Sequence, residues 1–172
     1  MRYIDTAFAH LSFAIKLMQG AEDGLVDLES IDTPLTIKDG ASLLVLPDRV
    51  LHDRDELINA CQNFVTITYG AAAITLNRCR EEASVPLPNP IVSECDQWIA
   101  LVYQARNVFA HDIAEPRWRI NPRYGRKYMV GNVQADLRKL DGVVFDYADI
   151  GGVDALYNLK AYGEEHAFGR MP

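Results

Sequence analysis

The chain has 172 residues, of which 49% are hydrophobic, and this is enough to bury the core of one domain. It carries 17 Lys and Arg against 24 Asp and Glu, and the net charge of −7 disfavours broad electrostatic attraction to nucleic acid or an anionic membrane. The spacing of Cys61, Cys79 and Cys95 fits neither a disulfide framework nor a metal motif, and no apolar run approaches the ~20 residues of a membrane span. We therefore expect one cytoplasmic domain, residues 1–172, with no membrane partner, metal or cofactor.

A first amphipathic helix is predicted near the N-terminus. Apolar residues recur at steps of four and three over residues 4–18, and Gly20 follows where a helix C-cap is expected. The periodicity fails over residues 23–53, where only 36–37 and 43–46 are typical of strands. We interpret this region as a long connection that carries a small hairpin.

The second predicted helix is the longest. Asp53 followed three residues later by Glu56 resembles a capping box, and an apolar stripe then runs over residues 58–79. Gly70 within this stripe indicates either close approach by a neighbouring helix or a tolerated defect. The helix is ended by three closely spaced prolines, Pro86, Pro88 and Pro90.

A third helix is predicted over residues 91–111, and Pro116 prevents it from continuing. Its apolar seam consists of Cys95, Trp98, Val102, Ala105 and Phe109. Farther on, the Asp-Gly turn at 140–143 predicts a short hairpin, and Gly151-Gly152 precedes a last helix over 153–166. The predicted fold is therefore mainly α, a bundle of about four helices with a small β-hairpin element in a single domain.

The end of the third helix carries residues suited to phosphate chemistry. Arg106 and Asn107 are followed after three residues by His111. On an unbroken helix Asn107 and His111 share a face, whereas Arg106 lies about 140° from His111. One small group cannot then be held by both Arg106 and His111 of one chain. A two-fold dimer in which the third helices meet would gather these residues around a common cleft.

This Arg-Asn-x3-His pattern resembles the signature of the HEPN (higher eukaryotes and prokaryotes nucleotide-binding) helical domains, a family that includes metal-independent endoribonucleases. The resemblance covers that segment and the mostly helical layout around it. It implies RNA cleavage by transesterification at a composite site of a homodimer. His111 would transfer protons, Arg106 would hold the phosphate and Asn107 would orient either His111 or the RNA. A toxin or defence effector, restrained by a protein regulator or antitoxin, is the implied biological setting.

Two other classes of function remain open. Some HEPN-like proteins are noncatalytic modules that bind RNA or a protein partner, and in such a module Arg106 and His111 would organise the dimer. A purely structural bundle is the third interpretation, in which the polar face of the third helix packs against a different subunit. Arg106 would then extend to water or an ion pair, and His111 would interact with the last helical carbonyls. The three differ at His111, which must be accessible in an enzyme and is expected to be occluded in a scaffold.

A second indication is the charge balance over residues 115–139, where seven cations face two carboxylates in an otherwise acidic chain. Aromatic side chains alternate with these cations, so bases could stack on the rings while the cations follow phosphates. The predicted RNA-binding residues are Arg117, Trp118, Arg119, Arg123, Tyr124, Arg126 and Lys127, with Tyr128, Arg138 and Lys139 in the same segment. The alternative is a solvated basic loop paired with acidic residues elsewhere, such as Glu22, Asp23, Asp27 and Glu29.

Overall fold

The computed structural model describes residues 3–47 and 49–168. Within these ranges the chain forms five α-helices and two antiparallel hairpins, so the predicted mainly α class with a small β element is confirmed. The helices are α1 (Tyr3–Glu22), α2 (Leu28–Ile31), α3 (Arg54–Glu82), α4 (Glu94–Phe109) and α5 (Ala155–His166). The hairpins pair β1 (Leu35–Asp39) with β2 (Ser42–Leu46) and β3 (Lys127–Val130) with β4 (Val133–Asp136). No helix in the described ranges is long and apolar enough to cross a membrane.

The chain divides into two compact units, and the boundaries fall within α1 and α3. The larger unit comprises Met1–Leu11 and Thr66–Pro172, and the smaller unit is Ser12–Val65. The four predicted helices correspond to α1, α3, α4 and α5, whereas the four-residue α2 was not anticipated. The assignment of residues 1–172 to one domain stays a prediction.

In the smaller unit, α1 ends in a Schellman motif rather than at Gly20. Gly24 adopts φ +72° and its N–H donates to the Ala21 carbonyl at 3.1 Å, while the Leu25 N–H donates to the Gly20 carbonyl at 2.8 Å. The predicted C-cap at Gly20 was therefore wrong. Gly20 lies inside the last turn, and Gly24 takes the left-handed position that a side chain would strain.

The small core of this unit contains Ala21, Leu57 and Cys61. The hairpin of β1 and β2 confirms the one predicted in the long connection, with Ile37 opposite Leu44. All ten of its strand residues are exposed. Its large apolar side chains keep between 43% and 64% of their surface in water, and these are Leu35, Ile37, Leu43, Leu44, Val45 and Leu46. An isolated two-stranded hairpin with such a surface is at best marginally stable in water.

The start of α3 follows only half of the predicted capping box. The Asp53 carboxylate accepts the Glu56 N–H at 2.9 Å, but the Glu56 carboxylate accepts the His52 N–H at 2.7 Å instead of that of Asp53. Farther along α3, a Cβ on Gly70 would lie 2.7 Å from Cδ1 of Phe109 on α4. Gly70 therefore marks a close helix approach, which is one of the two alternatives that the sequence allowed.

In the larger unit, α4 begins with a complete capping box, in which the Ser93 side chain accepts the Asp96 N–H and the Asp96 side chain accepts the Ser93 N–H. The seam residues Trp98, Val102, Ala105 and Phe109 are buried, whereas Cys95 is half-buried. The Trp98 indole N–H donates to the Leu159 carbonyl at 2.7 Å and so ties α4 to α5. At the same crossing, a Cβ on Gly163 would clash with the Trp98 ring.

The second hairpin does not use the predicted Asp-Gly turn. β3 and β4 pair with Lys127 opposite Asp136, and Gly131 at the turn has φ +53°. The turn at Asp141-Gly142 instead brings Val143 beside Trp118, whose N–H donates to the Val143 carbonyl at 2.9 Å. The location predicted for the hairpin was therefore wrong, because that turn closes only a narrow bridge between Arg117 and Val144.

Candidate functional site

The candidate site begins in the last turn of α4, where Arg106 and Asn107 are both half-buried. An Arg106 Nη1–H donates to the Asn107 side-chain oxygen at 3.1 Å. A cation in the last turn also interacts favourably with the negative end of the helix dipole. Asn107 is thus arranged to orient Arg106, whereas the sequence had assigned it to His111 or to RNA.

His111 lies outside the helix. α4 ends at Phe109 with Ala110 as its C-cap, so the predicted extension to His111 was too long and the shared face of Asn107 and His111 does not arise from helical spacing. The His111 side chain is exposed. It therefore has the accessibility that proton exchange with a bound substrate requires.

Asp112 organises the chain directly after His111, and the sequence analysis missed it. Its carboxylate accepts the backbone N–H groups of Ala114 at 2.9 Å and Glu115 at 3.1 Å. These hydrogen bonds, that from Glu115 first, lower the pKa of Asp112 below its ordinary value. The sequence offered one indication of this role. Asp112 lies in the short stretch between a helix end and Pro116, and Asp side chains commonly close such turns.

The predicted aromatic stacking platform is contradicted by burial. Trp118, Tyr124 and Tyr128 each expose at most 1% of their surface. The Trp118 indole N–H donates to the Asp149 carboxylate at 2.7 Å, and the Tyr128 hydroxyl donates to the Tyr124 carbonyl at 2.9 Å. These rings are core residues of the larger unit, so their faces are not available to RNA bases in this structure.

Some cations of the segment lie beside one of its two carboxylates, and others are exposed elsewhere in it. Arg117 forms an ion pair with Glu115 at 2.7 Å, and Arg138 forms one with Asp136 at 2.5 Å, with Lys127 opposite Asp136 across the hairpin. Both carboxylates of the segment are thereby committed to neighbouring cations. The Arg119 and Lys139 side chains are exposed at other points of the segment.

Arg123 and Arg126 share a cavity of about 240 Å³. One wall is formed by the proline-containing connection between α3 and α4, and the whole lining consists of Pro88, Asn89, Pro90, Ile91, Arg123 and Arg126. Sequence reasoning selected the two arginines but could not place them against this wall, which lies over thirty positions earlier in the chain.

No protein-family model matches this chain, and no curated protein or solved structure matches it. The resemblance to HEPN domains therefore depends on Arg106, Asn107 and His111 and on the helical layout around them.

The ion pair of Asp136 and Arg138 provides a first testable prediction. The hydrogen bond from Arg138, with a smaller contribution from the charge of Lys127, lowers the pKa of Asp136 to about 2. We expect a carboxyl-detected NMR titration to find this midpoint, and Arg138→Gln to raise it toward the ordinary value of about 3.9. Because the folded-state pKa lies below the unfolded value, the stabilisation is complete above about pH 4 and is lost as the pH falls through about 2.

Lys127→Gln is the matched control for this titration, because it removes one positive charge without removing the direct hydrogen bond to Asp136. A smaller rise in the midpoint is expected in that variant. An Asp136 midpoint that is equal in the native protein and in Arg138→Gln would contradict the pairing. Arg138 would then count among the cations available to a polyanion.

Proposed function

We propose that this protein is a metal-independent endoribonuclease of HEPN type. The observation that carries the proposal is the exposed His111 just beyond the C-terminus of α4, whose last turn holds an Arg106 oriented by Asn107. These residues supply a proton-transfer group and a guanidinium within six positions of the chain. We further propose that the protein acts in the cytoplasm as a toxin or defence effector.

The reaction that these side chains suit is transesterification within the RNA backbone. The 2′-oxygen of a ribose forms a bond to the adjacent phosphorus, and the bond from phosphorus to the 5′-oxygen breaks. One imidazole takes the proton of the 2′-hydroxyl, and a second, protonated imidazole gives a proton to the departing 5′-oxygen. Arg106 stabilises the added negative charge on the phosphoryl oxygens. The products are a 2′,3′-cyclic phosphate and a 5′-hydroxyl.

A two-fold homodimer supplies the second imidazole. In a symmetric interface each residue meets its own copy or a common partner, so two copies of His111 would serve as base and acid across one cleft. The half-buried position of Arg106 at the end of α4 supports this arrangement, since the side chain is held by Asn107 while Ala110 and His111, which follow the helix, are exposed. A protein regulator or antitoxin would act by covering the same cleft.

The test is incubation of the purified protein with a panel of labelled RNAs in excess EDTA. We expect cleavage that persists in EDTA and leaves 2′,3′-cyclic phosphate ends, which acid or a cyclic phosphodiesterase would hydrolyse to a 2′- or 3′-phosphate. The same RNAs with 2′-O-methyl riboses lack the nucleophile and are expected to resist cleavage. Cleavage that EDTA abolishes, or that leaves 3′-hydroxyl ends, would contradict the mechanism.

A noncatalytic HEPN-like module that binds a protein partner is the second candidate. The observation that favours it is the hairpin of β1 and β2, whose exposed apolar side chains are of the kind that marks interaction sites. The RNA panel distinguishes the two candidates. If every RNA stays intact at high protein concentration, the binding module becomes the better account.

A further inference from the structure

The cavity between Arg123 and Arg126 has both guanidinium groups fixed by contacts with the protein. An Arg126 Nη1–H donates to the Ile91 carbonyl at 2.8 Å, which holds the half-buried side chain against the connection before α4. The guanidinium of Arg123 lies 4.5 Å from the centre of the Tyr124 ring and donates to the Tyr124 hydroxyl. Because Tyr124 is itself buried, Arg123 is positioned by a core residue.

Tyr124 is in turn held by its surroundings. Its ring packs 5.6 Å from that of Tyr103 on α4, and its carbonyl accepts the Tyr128 hydroxyl at 2.9 Å. The short 3-10 helix that presents Arg123 and Tyr124 is capped by Asn121, whose side chain accepts the Arg123 N–H at 3.2 Å. An anion entering the cavity would therefore meet donors that lose little conformational freedom on binding.

The charge of the cavity is uncompensated by its lining. Among the described residues that line it, two are arginines and none is a carboxylate. Glu115 and Asp136, the acids nearest in sequence to the two arginines, form ion pairs with Arg117 and Arg138, and Glu94, three residues after Ile91, accepts the Gly131 N–H at 2.7 Å. Two fixed cations in one cavity repel each other, and an anion bound between them converts that repulsion into charge-assisted hydrogen bonds.

The connection before α4 adds an apolar surface to the lining. Pro88, Pro90 and Ile91 line the cavity together with Asn89, and the volume of about 240 Å³ exceeds what an inorganic phosphate would fill. A ligand with a phosphate beside an apolar or ring-containing group fits both walls. We propose that this cavity binds a phosphate group of a nucleotide chain, with the sugar or base of that nucleotide against Pro88, Pro90 and Ile91.

The site lies far from the proposed cleavage position. Arg126 contacts Ile91, just before α4 begins at Glu94, whereas Arg106 lies in its last turn. At 1.5 Å per residue, Glu94 and Arg106 are separated by about 18 Å along the helix axis. A strand stacked as in double-stranded DNA, at about 3.4 Å per nucleotide, spans this distance with roughly five nucleotides. The choice of RNA as the ligand rests on the proposed function, and the cavity would then act as a distal subsite that selects substrate length.

The experiment is a titration at low salt with inorganic phosphate, AMP and a twelve-nucleotide 2′-O-methyl RNA, followed by the NMR signals of the arginine Nε–H groups. The 2′-O-methyl RNA carries phosphates but no attacking hydroxyl, so binding is measured without cleavage. We expect the Arg126 signal to shift with all three ligands, and AMP to bind at least tenfold more tightly than inorganic phosphate. Equal affinity for phosphate and AMP would overturn the nucleotide assignment.

Two variants test the residues. Arg126→Gln and Arg123→Gln are each expected to weaken binding of the 2′-O-methyl RNA about tenfold and to reduce the salt dependence by about one counterion. Arg78→Gln is the matched control, because it removes the same charge from an ion pair with Glu82 on α3, outside the cavity and outside the predicted RNA-binding residues. If Arg126→Gln perturbs folding because its contact with Ile91 is lost, Arg123→Gln still tests the site, since Arg123 is exposed. Equal weakening in all three variants would overturn the subsite.

The titration tests the subsite, and the cleavage assay tests the endoribonuclease, so either proposal can be rejected without the other. Binding at the cavity without cleavage of any RNA would retain the subsite and reject the endoribonuclease. Cleavage that is unaffected by Arg123→Gln and Arg126→Gln, even for substrates longer than about five nucleotides, would retain the enzyme and reject the subsite.

Discussion

Replacement of His111 by alanine is expected to lower the rate of RNA cleavage by about 10²–10⁴-fold. Proton transfer by a positioned imidazole contributes a factor of this size, and in a two-fold site the substitution removes the base and the acid together. The fold should be unaffected, because His111 is exposed and lies beyond the last residue of α4. Exposed positions of this kind usually change the free energy of unfolding by less than about 0.5 kcal/mol.

The measurement is single-turnover cleavage of the best RNA from the panel in EDTA, with the oligomeric state of each variant determined beside it. His10→Ala is the matched control, since it removes another exposed histidine, on α1, and is expected to cleave at the native rate. Arg106→Lys keeps the charge but loses the planar fork, and we expect it to recover only part of the rate lost in Arg106→Ala. An active dimer of His111→Ala would reject the proposed chemistry.

Replacement of Trp118 by alanine is expected to lower the free energy of unfolding by about 3–5 kcal/mol. Trp118 is fully buried, its ring lies 5.7 Å from that of Phe145, and its indole N–H donates to Asp149. The substitution leaves a cavity beside Phe145 and removes the donor to a half-buried carboxylate. Urea denaturation followed by circular dichroism measures the change.

Two further variants define what the loss at Trp118 means. Trp118→Phe retains most of the ring but loses the N–H donor, so an intermediate loss is expected. Met129→Ala is the surface control, because Met129 is 63% exposed on β3 and should change stability little. If Trp118→Ala kept native stability while weakening RNA binding, the side chain would belong to an RNA platform after all.

Trp118 also illustrates why the structure of the segment predicted to bind RNA could be predicted only in part. A pattern in which aromatic residues alternate with cations is typical both of a platform on which bases stack and of a core segment bordered by solvated charges. In a helix the 3.6-residue period separates these cases, but residues 115–126 form no long helix or strand that would impose a period. The buried face was decided by contacts with Phe145 and Asp149, both more than twenty positions away.

For the candidate catalytic residues, too, the sequence predicted one part and only the structure showed the other. The sequence is sufficient to select Arg106, Asn107 and His111, because the residue types and their spacing are local. The sequence did not predict that α4 ends at Phe109. Because of this earlier end, His111 does not lie on the helical face on which it was expected. The turn closed by Asp112 begins there instead, through hydrogen bonds to Ala114 and Glu115.

The sequence by itself determined the mainly helical class, the four long helices and the first hairpin, because each follows from periodicity and turn residues within a short window. For Gly70 the sequence allowed either a close helix approach or a tolerated defect, and the contact with Phe109, a tertiary fact, decided for the first. Only the tertiary structure decided that Trp118, Tyr124 and Tyr128 are core residues and that Arg123 and Arg126 share a cavity with the Pro88–Ile91 wall. The physical reason is that burial and charge pairing depend on segments distant in the chain, whereas helix and turn propensities depend on neighbours.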